Sequence, residues 1–429
     1  MDNNLTKRLL WLFGLILVFR IGCSIPTPGV NGQALTELFN AKTAGTVFGL
    51  MNMFSGGALA SLSILGLGIS PYISASIIFQ LATIMFPSVE RLQKEGEHGR
   101  RKITQWTRYA TVGIAIVQGF FIASQIEGQV SPITGTPIVE IGGLSFKFMA
   151  VLLLTMGAVF TMWIGEQITE RGIGNGASII IFVGIASSLF SGISSLKMSF
   201  DNEQINIGGL VFLLLIMVAV IAFIVYMEQG QRRLPIQYTR RVVGQNVYGG
   251  QESHLPLKIN GAGVIPPIFA NTLLLFPATI ASFFGEVWQA KINSFLQPSG
   301  MMFNILYVVA VVFFTFFYTA VTTNPNDLAD NLRKFGGYIP GIRPGKATAD
   351  HLDGIITKLT FFGAIYLAAV CILPTIIMRF FKVDFYFGGT TLLILVGVAL
   401  DTMSQLQAHL MSQNYEGFLK SAKLRGRKA

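Results

Sequence analysis

Charge is scarce in this chain. Asp, Glu, Lys and Arg together make up 12% of its 429 residues, about half the share found in ordinary soluble proteins. That excludes a disordered scaffold, which stays open through low hydrophobicity and high charge, and it excludes a soluble enzyme. Cysteine is nearly absent: Cys23 and Cys371 each lie in an apolar run, which excludes a secreted disulfide module. Only four histidines occur, His98, His254, His351 and His409. None has a metal-ligand companion four residues on, and no H-E-x-x-H motif exists. Gly341-Ile-Arg-Pro-Gly345-Lys346-Ala347 lacks the spacer and the Ser/Thr of a phosphate loop. Gly172-Ile-Gly174-Asn-Gly176 is not a dinucleotide fingerprint and marks a tight turn instead. No catalytic residues, cofactor or metal are expected.

Apolar length fills the gap. Hydrophobic residues reach 52% and the mean hydropathy is +0.59. Ten runs are long enough to cross a bilayer, which takes about 20 residues. They cover 9–25, 64–86, 109–126, 146–165, 177–196, 207–227, 264–284, 303–321, 359–378 and 391–411. Backbone in lipid must satisfy its own hydrogen bonds, so the runs are expected to be helices. The first follows Lys7 and Arg8 without a small-x-small cleavage site and is expected to remain as a span.

The sparse cations are sorted by side. Of 31 Lys and Arg, 24 fall in alternate connections and the two terminal segments, six in the opposite loops, and Arg20 inside the first span. The positive-inside rule then places both termini in the cytoplasm. Two connections on the basic side, 228–260 and 324–353, are longer than a bundle requires. The first alternates through Leu234-Pro-Ile-Gln-Tyr238 and offers a turn at Gly244-Gln-Asn246, predicting a hairpin decorated by Arg232, Arg233, Arg240 and Arg241.

Segment 51–59 is apolar but too short to cross, and Gly56-Gly57 argues against a rigid lipid-facing element. It reads either as an interfacial or re-entrant loop, or as a movable stopper in a pore. An internal echo is also present. Gly68-Ile-Ser-Pro71-Tyr-Ile73 and Gly263-Val-Ile-Pro266-Pro-Ile268 both fit G-x-x-P-x-I, five spans apart. Gly176 precedes Ile181 by five residues, as Gly389 precedes Ile394. Two five-span halves have opposite topology, so the echo predicts an inverted repeat with function at the midplane.

Ionisable residues inside the runs are few: Arg20 and Asp401, with Glu166 and Glu228 near the basic ends. Gln80, Gln118, Asn271 and Thr272 are deep, polar and uncharged; ordinary interhelical hydrogen bonding accounts for such residues. An ion-coupled small-solute transporter with a five-plus-five repeat is the rival reading, with Asp401 as its test.

The residues resemble the SecY family of bacterial protein-conducting channels from about Leu9 to Leu424. The resemblance rests on Phe19-Arg-Ile-Gly22, Asn52-Met-Phe-Ser-Gly-Gly-Ala-Leu59, Pro71-Tyr-Ile-Ser-Ala-Ser-Ile77, Gly165-Glu-Gln-Ile-Thr-Glu-Arg-Gly-Ile-Gly-Asn-Gly176, Leu255-Pro-Leu-Lys-Ile-Asn260, Pro340-Gly-Ile-Arg-Pro-Gly345 and Phe385-Tyr-Phe-Gly-Gly389. It implies an all-α polytopic membrane protein: ten helices in two inverted halves, 1–200 and 201–412, around a central hourglass pore, with a basic tail at 413–429. It further implies a pore ring of Ile69, Ile73, Ala177, Ile181, Ile268 and Ile394, where the family's isoleucine is replaced by alanine at 177. The plug maps onto Met53, Phe54, Ser55, Gly56, Gly57, Ala58 and Leu59, within about 51–60. A lateral gate would include Gln80, Gln118, Asn271 and Thr272. Arg232, Arg233, Arg240, Arg241 and Arg343 would meet a SecA motor ATPase or the rRNA phosphate of a ribosome. SecE and SecG subunits, preprotein signal sequences, nascent transmembrane segments and lipid complete the implied partners, and the bacterial plasma membrane the implied location.

Overall fold

The computed structural model describes residues 3–39, 47–132, 134–139, 142–201, 207–238, 241–243, 246–248, 252–281, 300–381 and 389–425. Its helices are α1 (Asn3–Cys23), α2 (Gly32–Leu38), α3 (Val47–Phe54), α4 (Ser70–Met85), α5 (Pro87–Lys94), α6 (Glu97–Ile126), α7 (Leu144–Arg171), α8 (Gly176–Asp201) and α9 (Ile207–Gln229). After the strands come α10 (Ile265–Ala281), α11 (Met301–Thr322), α12 (Pro325–Lys334), α13 (Lys346–Phe381) and α14 (Gly389–Arg425). Each expected span overlaps a helix. Among the described residues, six helices are long and apolar enough to cross a membrane, or seven if α4 and α5, bent by 100°, form one span. α1 falls short because Lys7, Arg8 and Arg20 interrupt it, and α8 and α10 offer shorter apolar stretches at Gly176–Ser188 and Ile265–Leu274.

The second span begins later than its hydropathy predicts. Residues 64–69 form turns, and the helix starts at Ser70. Gly68 adopts φ +56°, where only glycine is unstrained, and Pro71 sits at the first turn, where its missing N–H costs nothing. The same device recurs at α10: Gly263 has φ +62° two residues before the helix, and Pro266 follows its start. The second echo is also physical. A Cβ on Gly176 would lie 1.8 Å from the Gly165 carbonyl oxygen, and one on Gly389 would lie 1.9 Å from that of Val370. Both glycines therefore open a helix pressed against the preceding span.

The first half packs α6 against α7 and α4, and α1 against α7; the second packs α11 against α10 and α13, and α13 against α14. α4 meets α10, and α8 meets α14. Those two seams join the halves. Large apolar side chains such as Phe13, Phe148, Val218 and Phe313 stay exposed on the outer faces, as a lipid-facing surface requires.

The long basic-side connections form one unit. β1 (Gln231–Tyr238) pairs antiparallel with β4 (Glu252–Lys258), in register Leu234 opposite Leu255, and β5 (Gly337–Tyr338) adds to its other edge. β2 (Arg241–Val243) pairs antiparallel with β3 (Asn246–Tyr248); Gly244 and Gln245 of the expected turn lie outside the described residues. Leu234, Ala329, Ile339, Ala349, Leu352 and Ile355 form a small core beneath.

Candidate functional site

The six candidate ring positions lie in one apolar cluster. Ile69, Ile181, Ile268 and Ile394 are buried within it, and Ile73 and Ala177 pack against it half-buried. The two seams bring them there: Ile73 on α4 and Ile268 on α10, Ala177 and Ile181 on α8 and Ile394 on α14. Ile69 is not inside a helix, as the expected span had it. It is the residue before α4, and its carbonyl accepts from the Ile73 N–H at 3.1 Å, so the two still stack one turn apart. Beside Ala177 the space is shared: a Cβ on Gly165 would sit 3.4 Å from Ile69 Cδ1 and 3.7 Å from the Ala177 nitrogen.

A cavity of about 20 Å³ opens among Phe54, Leu67, Ile69, Ser70, Ile73, Ile268, Asn271 and Thr272. That is room for roughly one water. Three of the ring candidates and one plug candidate therefore share one small space.

The plug candidates begin with Met53 and Phe54 at the end of α3 and continue in tight turns. Gly56 and Gly57 donate their N–H groups to the Met53 and Asn52 carbonyls at 3.2 and 2.8 Å. Ser55 Oγ accepts from Leu59 N at 3.2 Å, and Asn52 Oδ1 from Ala60 N at 2.8 Å. The backbone is thus satisfied locally, as non-helical chain at membrane depth must be. Met53, Ser55, Ala58 and Leu59 are buried; Phe54, Gly56 and Gly57 are half-buried. The segment leans on α8, where a Cβ on Gly184 would lie 2.7 Å from the Phe54 oxygen. It also leans on α1, where Arg20 Nη1 donates to the Gly56 oxygen at 3.2 Å.

The gate candidates do not all converge. Asn271 and Thr272 line the cavity, whereas Gln80 donates to Ser76 Oγ within its own helix at 3.1 Å and Gln118 lies on α6. Gln118 Oε1 and Asn271 Nδ2 are buried without a hydrogen-bond partner among the described residues. Of the docking candidates, Arg232 and Arg233 project from β1 and Arg343 from the loop before α13, all exposed. Thr348 Oγ1 donates to the Arg343 carbonyl at 2.8 Å and shapes that loop. Arg241 lies on β2 opposite Tyr248, and Arg240 is outside the described residues.

Asp401 lies within the apolar stretch Gly389–Met411, as hydropathy had it. Its side chain is exposed, with Lys258 Nζ 3.9 Å away. Glu166 is held by Arg108 at 2.8 Å. The motif reading missed what Asn260 does. Its Nδ2 donates to Glu228 Oε1 at 2.7 Å and to the Gly263 oxygen at 3.1 Å, while its Oδ1 accepts from the Gly263 N–H at 3.1 Å. Asn260 closes the quoted Leu255–Asn260 stretch, the only sequence signal for this network.

Known proteins share the fold and the family. The SecY family model matches residues 63–403. The protein translocase subunits SecY of Pseudomonas aeruginosa and Escherichia coli K12 are each 48% identical over 99% of this chain, covering 95% and 96% of their own lengths. Among solved structures, a protein-conducting channel superposes with TM-score 0.70 at 17% identity, over 96% of this chain and 94% of its own. A SecY channel whose plug domain is described as stabilising the closed state and maintaining a membrane seal reaches 0.69 at 18% identity, with 96% and 94% coverage. Sec61 of the canine ribosome–channel complex from the endoplasmic reticulum reaches 0.65 at 16% identity, again with 96% and 94% coverage. At such identities the superpositions speak for the fold, and the near-complete alignments to the bacterial subunits speak for descent: the chain belongs to the SecY family.

Proposed function

We propose that this multi-pass membrane protein is a channel that passes unfolded preproteins across the plasma membrane and releases transmembrane segments sideways into lipid. The observation that carries this reading is the meeting of ring candidates from both halves with Phe54 of the plug around one small apolar cavity. Branched apolar side chains block a pore by dewetting. They offer a passing peptide no hydrogen-bond partner, so they favour no particular sequence.

Partitioning supplies the sideways choice. Central Leu, Ile, Phe or Val residues favour insertion by about 0.3–0.6 kcal/mol each, and one Lys or Asp opposes it by about 2.5–3.5 kcal/mol. A gate between α4 with α6 and α10 with α11 need only open; lipid sorts the segments. No catalytic residue takes part, so the driving force comes from partners. A SecA motor or a ribosome would dock on the unit bearing Arg232, Arg233, Arg240, Arg241 and Arg343, and SecE and SecG would complete the complex. The ribosome-bound neighbour supports the ribosome as a partner. Residues 1–200 and 201–412 would be the two halves, with 413–429 a basic cytoplasmic tail beside a cytoplasmic N-terminus. Reconstitution of the chain with SecE, SecG and the motor in liposomes tests the reading: a signal-bearing precursor becomes protease-protected, and persistent failure to import it overturns the proposal.

A further inference from the structure

We propose that Arg20 is the residue that holds the plug in its seat, by donating from its guanidinium to the Gly56 carbonyl. The inference rests on the plug reading of Met53 to Leu59. Arg20 stands in the last turn of α1, amid Phe19 and Ile21. A basic residue there complements the helix dipole, but that role needs no inward partner. A charged side chain in an apolar span is costly and marks function where it turns inward. Arg20 turns inward: Nη1 lies 3.2 Å from the Gly56 oxygen.

The acceptor is built for this contact. Gly56 has φ +70°, which presents its carbonyl toward α1. A side chain at 56 would strike both walls of the seat, with a Cβ 2.9 Å from Arg20 Nη1 and 3.0 Å from Gly184 Cα. The neighbouring carbonyl, that of Ser55, accepts more weakly from Cys23 Sγ at 3.8 Å. Two successive plug carbonyls thus face donors one turn apart on α1, and the guanidinium is the only charged one of the pair. Opening takes this acceptor away from a group that cannot lose its charge. Water, or the carbonyls of an entering polypeptide, must replace it. Plug release is therefore coupled to filling of the pore, and an empty channel favours the seated plug.

The test measures ion current through the complete complex in planar bilayers, for four forms of the chain: unaltered, R20Q, deletion of Met53 to Leu59, and both changes together. A hydrogen bond to a charged group corresponds to roughly a ten- to hundredfold change in the unseated fraction. R20Q should raise the current toward that of the deletion and add nothing in the deletion background. If the deletion leaks and R20Q does not, Arg20 is no latch and the plug reading stands. If R20Q adds current to the deleted form, Arg20 acts on the helix bundle rather than the plug, and the proposal fails. If the deletion itself does not leak, the plug reading falls and this inference with it.

Discussion

Asn260 Nδ2 lies 2.7 Å from Glu228 Oε1, joining two residues that flank the 231–258 sheet segment. The same asparagine holds the peptide of Gly263 at both its N–H and its carbonyl, two residues before α10 begins. The base of the β-sheet unit and the start of α10 thus share one side chain. Tyr366 on α13 also approaches Glu228, at 3.5 Å.

Removing that side chain leaves partly buried groups of Glu228 and Gly263 without this partner. Asn260→Ala is expected to destabilise the complex by about 1–3 kcal/mol, the cost of orphaned polar groups. Asn260→Asp is expected to be worse, because it sets a second carboxylate against Glu228. Thermal unfolding of the detergent-solubilised complex checks the order; an unchanged midpoint for both variants contradicts it.

The apolar collar predicts its own failure. Ile268→Asn places a polar group beside Asn271, whose Nδ2 already lacks a partner. Burial of such a group costs about 1–3 kcal/mol and falls on the closed state alone, since an open pore is wet. Ion current through the purified complex should rise, while Ile268→Leu should keep it low. Equal currents for the two variants would count against a dewetted constriction.

Acid sensitivity has a source away from the pore. Glu127, after α6, accepts from Lys147 Nζ at 2.7 Å and from the Gly143 N–H at 2.5 Å. The lysine hydrogen bond first, and then the backbone one, hold its carboxyl below the ordinary carboxylate range. A depressed acid stabilises the fold fully above its ordinary pKa, and that contribution is lost as pH falls through the depressed value. Glu127→Gln should therefore lower stability at neutral pH and flatten its decline in acid. Unfolding midpoints measured across the acid range check this; parallel curves would refute it.

The proposed docking on exposed arginines predicts a dependence on salt. Arg343→Glu should weaken ribosome or motor binding to proteoliposomes at low ionic strength, and the deficit should shrink as salt screens the surface charge. Co-sedimentation over a salt series measures it. A deficit constant with salt would point to a misfolded loop instead.

Much of the site was legible because it repeats. Ile73 and Ile268 share a G-x-x-P-x-I setting, and the structure gives both settings a left-handed glycine and a proline-led helix. Periodicity mistook 64–69 for helix, since hydropathy does not register Gly68 as a stop. β5 was invisible: two residues have no period, and their partner Gln237 lies about a hundred positions away. Hydropathy flagged Arg20 and Asp401 within apolar runs but could not aim them: Arg20 reaches the Gly56 carbonyl, and Asp401 lies 3.9 Å from Lys258 Nζ. Gln80 and Gln118 were grouped with Asn271 and Thr272 by their depth and by the family resemblance, and neither determines which way a helix faces.

The most direct measurement stalls a precursor in the assembled channel and asks which positions it touches. The native thiols, Cys23 and Cys371, are both buried and would first be replaced. A single cysteine at Ile268 should form a disulfide with a cysteine in the stalled segment, whereas one at lipid-facing Phe313 should not. Crosslinking at Phe313 with none at Ile268 would place the polypeptide outside the collar and contradict the account.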